Sequence, residues 1–344
     1  MVPVSLSCFY RGYWRSRLIK LVVCGAINWD VSCFVDRLPV PGQEVIAEYV
    51  TRVSGGTGGN TAVAAARILG AKEVALIGAL GMDGIARQQI GALDEEGVVT
   101  TGISQIAGQE SGQAYILVDQ TGENVIASHL GANARLALKH LKQLEPRRHL
   151  RECQGIILTD PPLEVAEALM NAARRYDTPV LWSPGILITA NREALLSLAK
   201  EAEVIFLNET EASALLETHE LDAALQRLQK LAFSNHTVLK LGARGAAVLE
   251  PAGGTLIEIP ALPLKEFGLS VINTVGCGDV FAGVFGAYYV TGSSLEQSLI
   301  MANAAAGLKA ARTETRGGPD RDRLEEAVIR SHERGCTVRK RKLL

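Results

Sequence analysis

The chain has 344 residues, 47% of them hydrophobic and 21% charged, with 12 prolines. So much apolar sequence can remove roughly 75% of the unfolded surface from water, which excludes a disordered, collagenous or disulfide-built chain. Lys and Arg number 35 against 37 Asp and Glu, a formal charge of -2, so no chain-wide basic field exists to hold nucleic acid.

Residues 1–20 read as an N-terminal extension, with Tyr13 and Trp14 among Arg11, Arg15 and Arg17 and no sustained apolar stretch of a targeting peptide. Leu21–Cys24 is a short apolar strand ending at Gly25. Residues 31–53, and later 112–129, are β-prone without a helix between their halves, which predicts antiparallel strands of a smaller sheet inserted as a lid. RVSGGTGG at 52–59 is too rich in glycine for a helix interior but permits tight turns and close approach to a ligand. A helix is predicted from Asn60 to Leu69, a strand from Val74 to Leu80, and a helix from Gly84 to Gly97.

The same rhythm continues. Ile156–Leu158 reads as a strand, followed after Pro161 and Pro162 by a helix through Ala173. Further strands are predicted at Pro179–Trp182, Val204–Leu207, Thr237–Leu241, Ala246–Leu249 and Thr255–Ile259, with a helix at Leu221–Leu231. Two more helices run from Val280 and from Leu295 to Ala311. Strands alternating with helices imply βαβ units and a mostly parallel sheet covered on both faces. Residues 331–344, with cations from Arg339 to Lys342, read as a basic solvated tail.

Several chemistries lose ground. The six cysteines form no C-x-x-C pair, so reduced thiols in a cytoplasmic protein are expected. No apolar run reaches the ~18 residues of a membrane span. The six histidines lack metal-site spacing. Neither glycine cluster completes a P-loop or G-x-G-x-x-G, which argues against a P-loop enzyme and an ordinary dinucleotide-binding dehydrogenase.

The segment NTVGCGDVFAG at 273–283 is the richest in chemistry. Gly276 and Gly278 free the backbone around Cys277, and the helix that follows points its first N–H groups at an anion. Asp279 has two available roles. It can serve as first-turn electrostatics, worth about 0.5–1 kcal/mol, or accept a proton from an attacking hydroxyl.

In this order, GAINWD at 25–30, LPVPGQ at 38–43, GGTGGNTAVAAARILG at 55–70, NETEA at 208–212 and TVGCGDVFAG at 274–283 resemble the ribokinase-like family, the PfkB carbohydrate kinases. The resemblance runs from about Leu21 to RGGPD at 316–320. It implies a ribokinase-like three-layer α/β sandwich with a central mostly parallel sheet and a small β-sheet lid. Residues 21–30, 54–111 and 130–330 would form the main domain, and 31–53 with 112–129 the lid. It further implies ATP as phosphoryl donor, Mg²⁺, and possible pairing of two copies through the lid.

By that resemblance Asp279 is the general base, and Gly276, Cys277 and Gly278 form the anion hole, with cysteine in place of a commoner alanine. Asn28, Asp30, Gly56, Asn60 and Asp160 fall at acceptor positions. Asn28 and Asp30 alternate beyond a strand and so can face one pocket, whereas Asn60 also suits N-capping. Asn208 and Glu211 match residues that organise Mg²⁺, and their N-x-x-E spacing equally suits a capping box. Lys240, Gly242 and Gly245 match the nucleotide loop, where Lys240 either approaches phosphates or extends into solvent. Asn303 matches a nucleotide-facing position or satisfies the core. The run 122–133 is similar to bacterial ribokinases and implies D-ribose as acceptor, with a nucleoside, ribose 1-phosphate or another phosphosugar as alternatives. A non-catalytic sugar- or nucleotide-binding module is the competing class. Asn273 stands where ribokinases commonly place an aspartate that helps bind K⁺.

Overall fold

The computed structural model describes residues 19–343 except 122, 186, 188–191, 219, 232–234 and 252–253. The expected N-terminal extension, through residue 18, lies outside the described residues. The chain begins with β1 (Leu21–Cys24), β2 (Asn28–Val35), β3 (Ala47–Gly55), α1 (Thr57–Leu69), β4 (Val74–Gly81), α2 (Gly84–Glu95) and β5 (Ile103–Ile106). It continues through β6 (Gly112–Val118), β7 (Asn124–His129), α3 (Leu138–Leu141), α4 (Leu144–Glu152), β8 (Gly155–Leu158), α5 (Leu163–Tyr176), β9 (Val180–Trp182) and α6 (Arg192–Ala199). There follow β10 (Val204–Asn208), α7 (Glu209–Leu216), α8 (Leu221–Leu231), β11 (His236–Lys240), β12 (Ala246–Leu249) and β13 (Thr255–Ile259). The last elements are α9 (Cys277–Val290), α10 (Leu295–Ala310), α11 (Arg321–Glu333) and β14 (Arg339–Lys342).

A 10-stranded sheet has the order β14-β13-β12-β11-β10-β9-β8-β1-β4-β5. From β11 to β5 neighbouring strands are parallel, and β12, β13 and β14 add an antiparallel edge. Continuous apolar strands suit a sheet buried on both sides. In β1, Leu21 and Val23 join one core while Val22 and Cys24 join the other. Helices α1, α2, α9, α10 and α11 cover the first face, and α3 to α8 cover the second. The result is the three-layer arrangement expected.

A separate four-stranded sheet has the order β3-β2-β6-β7. It takes in Asn28 and Asp30, which the sequence reading assigned to the main domain: Asn28 pairs with both Gly55 and Gly112. The first bonds of the small sheet therefore form at the residues that leave β1.

Two other expectations are corrected. Helix α1 starts at Thr57, through the glycines, because close packing outweighs their poor helix propensity. A Cβ on Gly58 would lie 2.6 Å from the Gly25 backbone, and one on Gly59 would lie 2.4 Å from Arg316 Nη2. The basic C-terminal segment is not wholly a solvated tail, since Arg339–Lys342 pair with β13 and cover its edge. The cations point outward, and Arg341 meets Glu258 at 3.1 Å while Lys340 meets Glu296 at 2.5 Å. Among the described residues no helix is long and apolar enough to cross a membrane. Cys24, Cys33, Cys153, Cys277 and Cys336 form no disulfide.

Candidate active site

The C-terminal ends of β8, β10 and β11 and the loops after them carry Asp160, Asn208, Lys240, Gly242 and Gly245, where open parallel sheets commonly bind ligands. Gly56 precedes α1 with φ +88°, and a Cβ there would lie 2.4 Å from Asn28 N. Only glycine allows this crossing of two backbones. The amides of Gly58 and Gly59 donate to the Ala26 carbonyl at 2.9 and 3.2 Å. Asp160 closes the junction, its Oδ1 accepting from Thr57 Oγ1 at 2.6 Å and from the Ala26 amide at 3.1 Å.

Asn60 lies inside α1 rather than at its cap. Its Nδ2 donates to Asp279 Oδ2 at 2.9 Å, so the capping alternative falls away and two motifs 219 residues apart meet. Asn28 Oδ1 accepts from Asn133 Nδ2 at 2.9 Å, and the Asn28 carbonyl accepts from Gln89 Nε2 at 2.6 Å. Asp30 is only 4% exposed. Burial pushes its carboxyl up to about 7, against the pull of Arg316, while Asp279 adds a smaller upward push and a Thr315 hydrogen bond a downward one.

Arg316 is the residue that sequence reasoning missed, having met it only as the start of RGGPD. Its guanidinium is buried, with Nη2 donating to Gly55 O at 2.9 Å and Gln89 Oε1 at 3.0 Å, and Nε to Asn60 Oδ1 at 3.3 Å. It therefore fixes the end of the small sheet, α2 and α1 relative to one another.

On the opposite wall, Gly276 caps α9 at φ +83°, and a Cβ there would lie 2.5 Å from the Thr315 carbonyl. The Cys277 amide donates to the Thr274 carbonyl at 3.2 Å, and among the described residues the next amides of α9, those of Gly278 and Asp279, have no backbone partner. Burial raises Asp279 to about 6, offset by the Asn60 hydrogen bond and Lys240 and reinforced by Asp160 and Glu211. Lys240 does not extend into solvent. Its Nζ donates to Ser183 Oγ at 3.4 Å and lies 3.2 Å from where a Cβ on Gly278 would stand. Burial pushes the Cys277 thiol up to about 11, which keeps it protonated near neutrality and unsuited to nucleophilic work.

Asn208 and Glu211 do form a capping box on α7: Asn208 Oδ1 accepts from the Glu211 amide at 2.7 Å, and Glu211 Oε2 from the Asn208 amide at 2.8 Å. Glu211 Oε1 takes no part in it. Gly242 and Gly245, at φ +56° and +97°, turn the chain after β11. Asn303 is buried, its Nδ2 donating to Pro260 O at 2.8 Å. Among the described residues no cluster of three or more His, Cys, Asp or Glu could by itself hold a metal.

Against this geometry, the model of the pfkB family carbohydrate kinases matches residues 18–321. A ribokinase of Haemophilus influenzae is 31% identical over 294 residues, 84% of this chain and 91% of that protein. An ATP-dependent ribose-1-phosphate kinase of Halopiger xanaduensis is 28% identical over 308 residues, 89% of this chain and 96% of that one. The structure of Arabidopsis thaliana ribokinase complexed with ribose and ATP superposes with a TM-score of 0.77 at 25% identity, covering 90% of this chain and 99% of that one. With the fold, the paired glycine motifs and the family match in agreement, the chain belongs to the pfkB family of carbohydrate kinases, phosphotransferases with an alcohol group as acceptor.

Proposed function

We propose that the chain is an ATP-dependent ribokinase, transferring the γ-phosphoryl group to the primary hydroxyl of D-ribose to give D-ribose 5-phosphate. One observation carries the reading: the Asp279 carboxylate is hydrogen-bonded to Asn60 on the acceptor side and stands on the same turn that Lys240 approaches. A base, an anion-binding turn and polar groups suited to a polyol thus share one cleft.

Asn28, Asp30 and Asn60 orient the acceptor, with the backbone at Gly56 and the Asp160 carboxylate completing its surroundings. Asp279 takes the hydroxyl proton as the new O–P bond forms. The bond from the γ-phosphorus to the β–γ bridging oxygen breaks, and ADP leaves. The turn Gly276–Cys277–Gly278 and the Lys240 ammonium stabilise charge on the transferred group, while Gly242 and Gly245 shape the donor loop. Positioning and electrostatics then supply most of the rate. Asn208 and Glu211, whose Oε1 lies outside the capping box, would hold Mg²⁺ chiefly through water; the ion would supply neutralisation of the phosphoryl charge.

The ribose and ATP of the Arabidopsis neighbour support both substrates. Pairing of two copies through the small sheet is part of the proposal, supported by the exposed Tyr49, Tyr115, Val125 and Ile126; a monomer mass in sedimentation would exclude it. A second reading, phosphorylation of ribose 1-phosphate, is favoured by the Halopiger relative and by Arg316 Nη1, buried without a hydrogen-bond partner among the described residues.

The test is a matrix of ATP, GTP and ADP against ribose, ribose 1-phosphate, nucleosides and fructose 6-phosphate. The highest kcat/KM is expected for ATP with ribose. A preference of about tenfold for another acceptor, ~1.4 kcal/mol of differential transition-state binding, would replace ribose. Binding without transfer across the whole panel would restore the non-catalytic class.

A further inference from the structure

Among the described residues Lys309 is the one lysine in the set of largest fully buried side chains, at 0% exposure in α10. Its Nζ donates to the backbone carbonyl of Asn273 at 2.8 Å, the residue that opens the turn into α9. Among the described residues it makes no ion pair; burial pulls the proton affinity of its amine down, opposed by the acidic groups Cys277, Asp279 and Glu314. A lone buried ammonium is costly to keep. Core packing alone would be served better by methionine or leucine. The charge therefore has a use, and the groups beside it are the turn and carboxylate of the cleft.

The family resemblance brings a monovalent cation to this neighbourhood, and the residues here do not fit one. Asn273 has a neutral side chain whose two ends are both engaged: Nδ2 donates to Thr313 O at 2.8 Å, and Oδ1 accepts from the Val275 amide at 2.9 Å. Its carbonyl oxygen, the group a cation would draw on, receives the lysine. The Ala310 carbonyl is likewise engaged, accepting the Ile272 and Asn273 amides at 2.8 and 3.1 Å.

We propose that the Lys309 ammonium is the built-in cation of the phosphoryl-binding turn, holding the Asn273 carbonyl and supplying positive charge behind Gly276–Gly278, so that this kinase works without K⁺. Lys309 is a positioning residue, not a catalytic one, since it acts through the turn. The inference rests on the phosphotransfer reading above. A tethered cation differs from a dissociable one in a measurable way: it cannot be exchanged with the medium.

The experiment compares the unmodified chain in potassium, sodium and tetramethylammonium chlorides at equal ionic strength. Rates with ATP and the best acceptor are expected to agree within about twofold, whereas stimulation by K⁺ of about tenfold or more overturns the proposal. Thermal melts in the same salts are expected to coincide, and a rise in Tm specific to K⁺ overturns it even if no acceptor is turned over. Failure of the phosphotransfer reading is thus separable from failure of the cation assignment. Lys309→Met is expected to lose about tenfold or more in kcat with a smaller change in KM, at an unchanged or higher Tm. Lys309→Ala, which leaves room for an ion, is expected to become K⁺-stimulated. A Met variant with the original kcat would reduce Lys309 to packing and sink the idea; if that variant does not fold, the salt series on the unmodified chain decides.

Discussion

Burial raises the proton affinity of both Asp30 and Asp279, with Asp279 adding to the rise at Asp30, and both stand above the ordinary carboxylate range, at about 7 and about 6. The deprotonated forms are the ones that accept a hydroxyl hydrogen, so kcat/KM is expected to fall as pH drops through about 7 to 6, with more than one proton involved. Asp279→Asn is expected to lower kcat by about 10²–10⁴-fold with Tm nearly kept. Rate profiles and melts on the same samples check both, and a rate independent of pH from about 5 to 8 would remove the carboxylates from the mechanism. The sign for stability is opposite. The folded chain retains protons that the unfolded chain gives up above about pH 4, so these two groups favour folding most in acid and progressively less as pH rises towards 7. That Asn60 and Asp279 belong to one cleft was legible from the order of the two glycine motifs, and the structure brings them together. Arg316 was not, because its partners Gln89 and Gly55 lie 227 and 261 residues away, and no periodicity reports so distant a contact.

The start of α1 shows where propensity misleads at the level of an element. Glycines at 58 and 59 argue against a helix, yet their amides and missing side chains let α1 sit directly on Ala26 and Gly25. Gly56→Ala places a Cβ 2.4 Å from Asn28 N at φ +88°. The expected loss is about 1–3 kcal/mol of stability or more, read by denaturant unfolding, with a raised KM for the acceptor because Asn28 must shift. Unchanged stability and KM would show that the crossing is slack. Strands fared better: Ala246–Leu249 and Thr255–Ile259 match β12 and β13 residue for residue, since short apolar runs bounded by turns leave few choices. Helix α11 was missed because its RDRLEEAVIRSHE buries only Leu324, Ala327 and Ser331, too thin a stripe to stand out against its charge.

Across the whole molecule, the order of motifs predicted the layers, but the sheet's far edge depends on the chain's last residues. Without β14, the antiparallel edge would end at β13, with Leu256 and Ile257 in an uncovered strand. Deleting residues 337–344 is expected to cost about 1–2 kcal/mol, roughly 2–4 °C in Tm, and to increase light scattering on warming, with kcat held. Equal Tm and scattering would make β14 dispensable. The small sheet has a different significance. Asn28 and Asp30 belong to β2, whereas Asp279 belongs to α9 on the main body. On the proposed reading, any swing of the small sheet would carry the acceptor-binding groups towards or away from Asp279. If cargo on that arm completes the machinery as proposed, an empty arm would leave ATP facing no organised partner, an economy against wasteful hydrolysis.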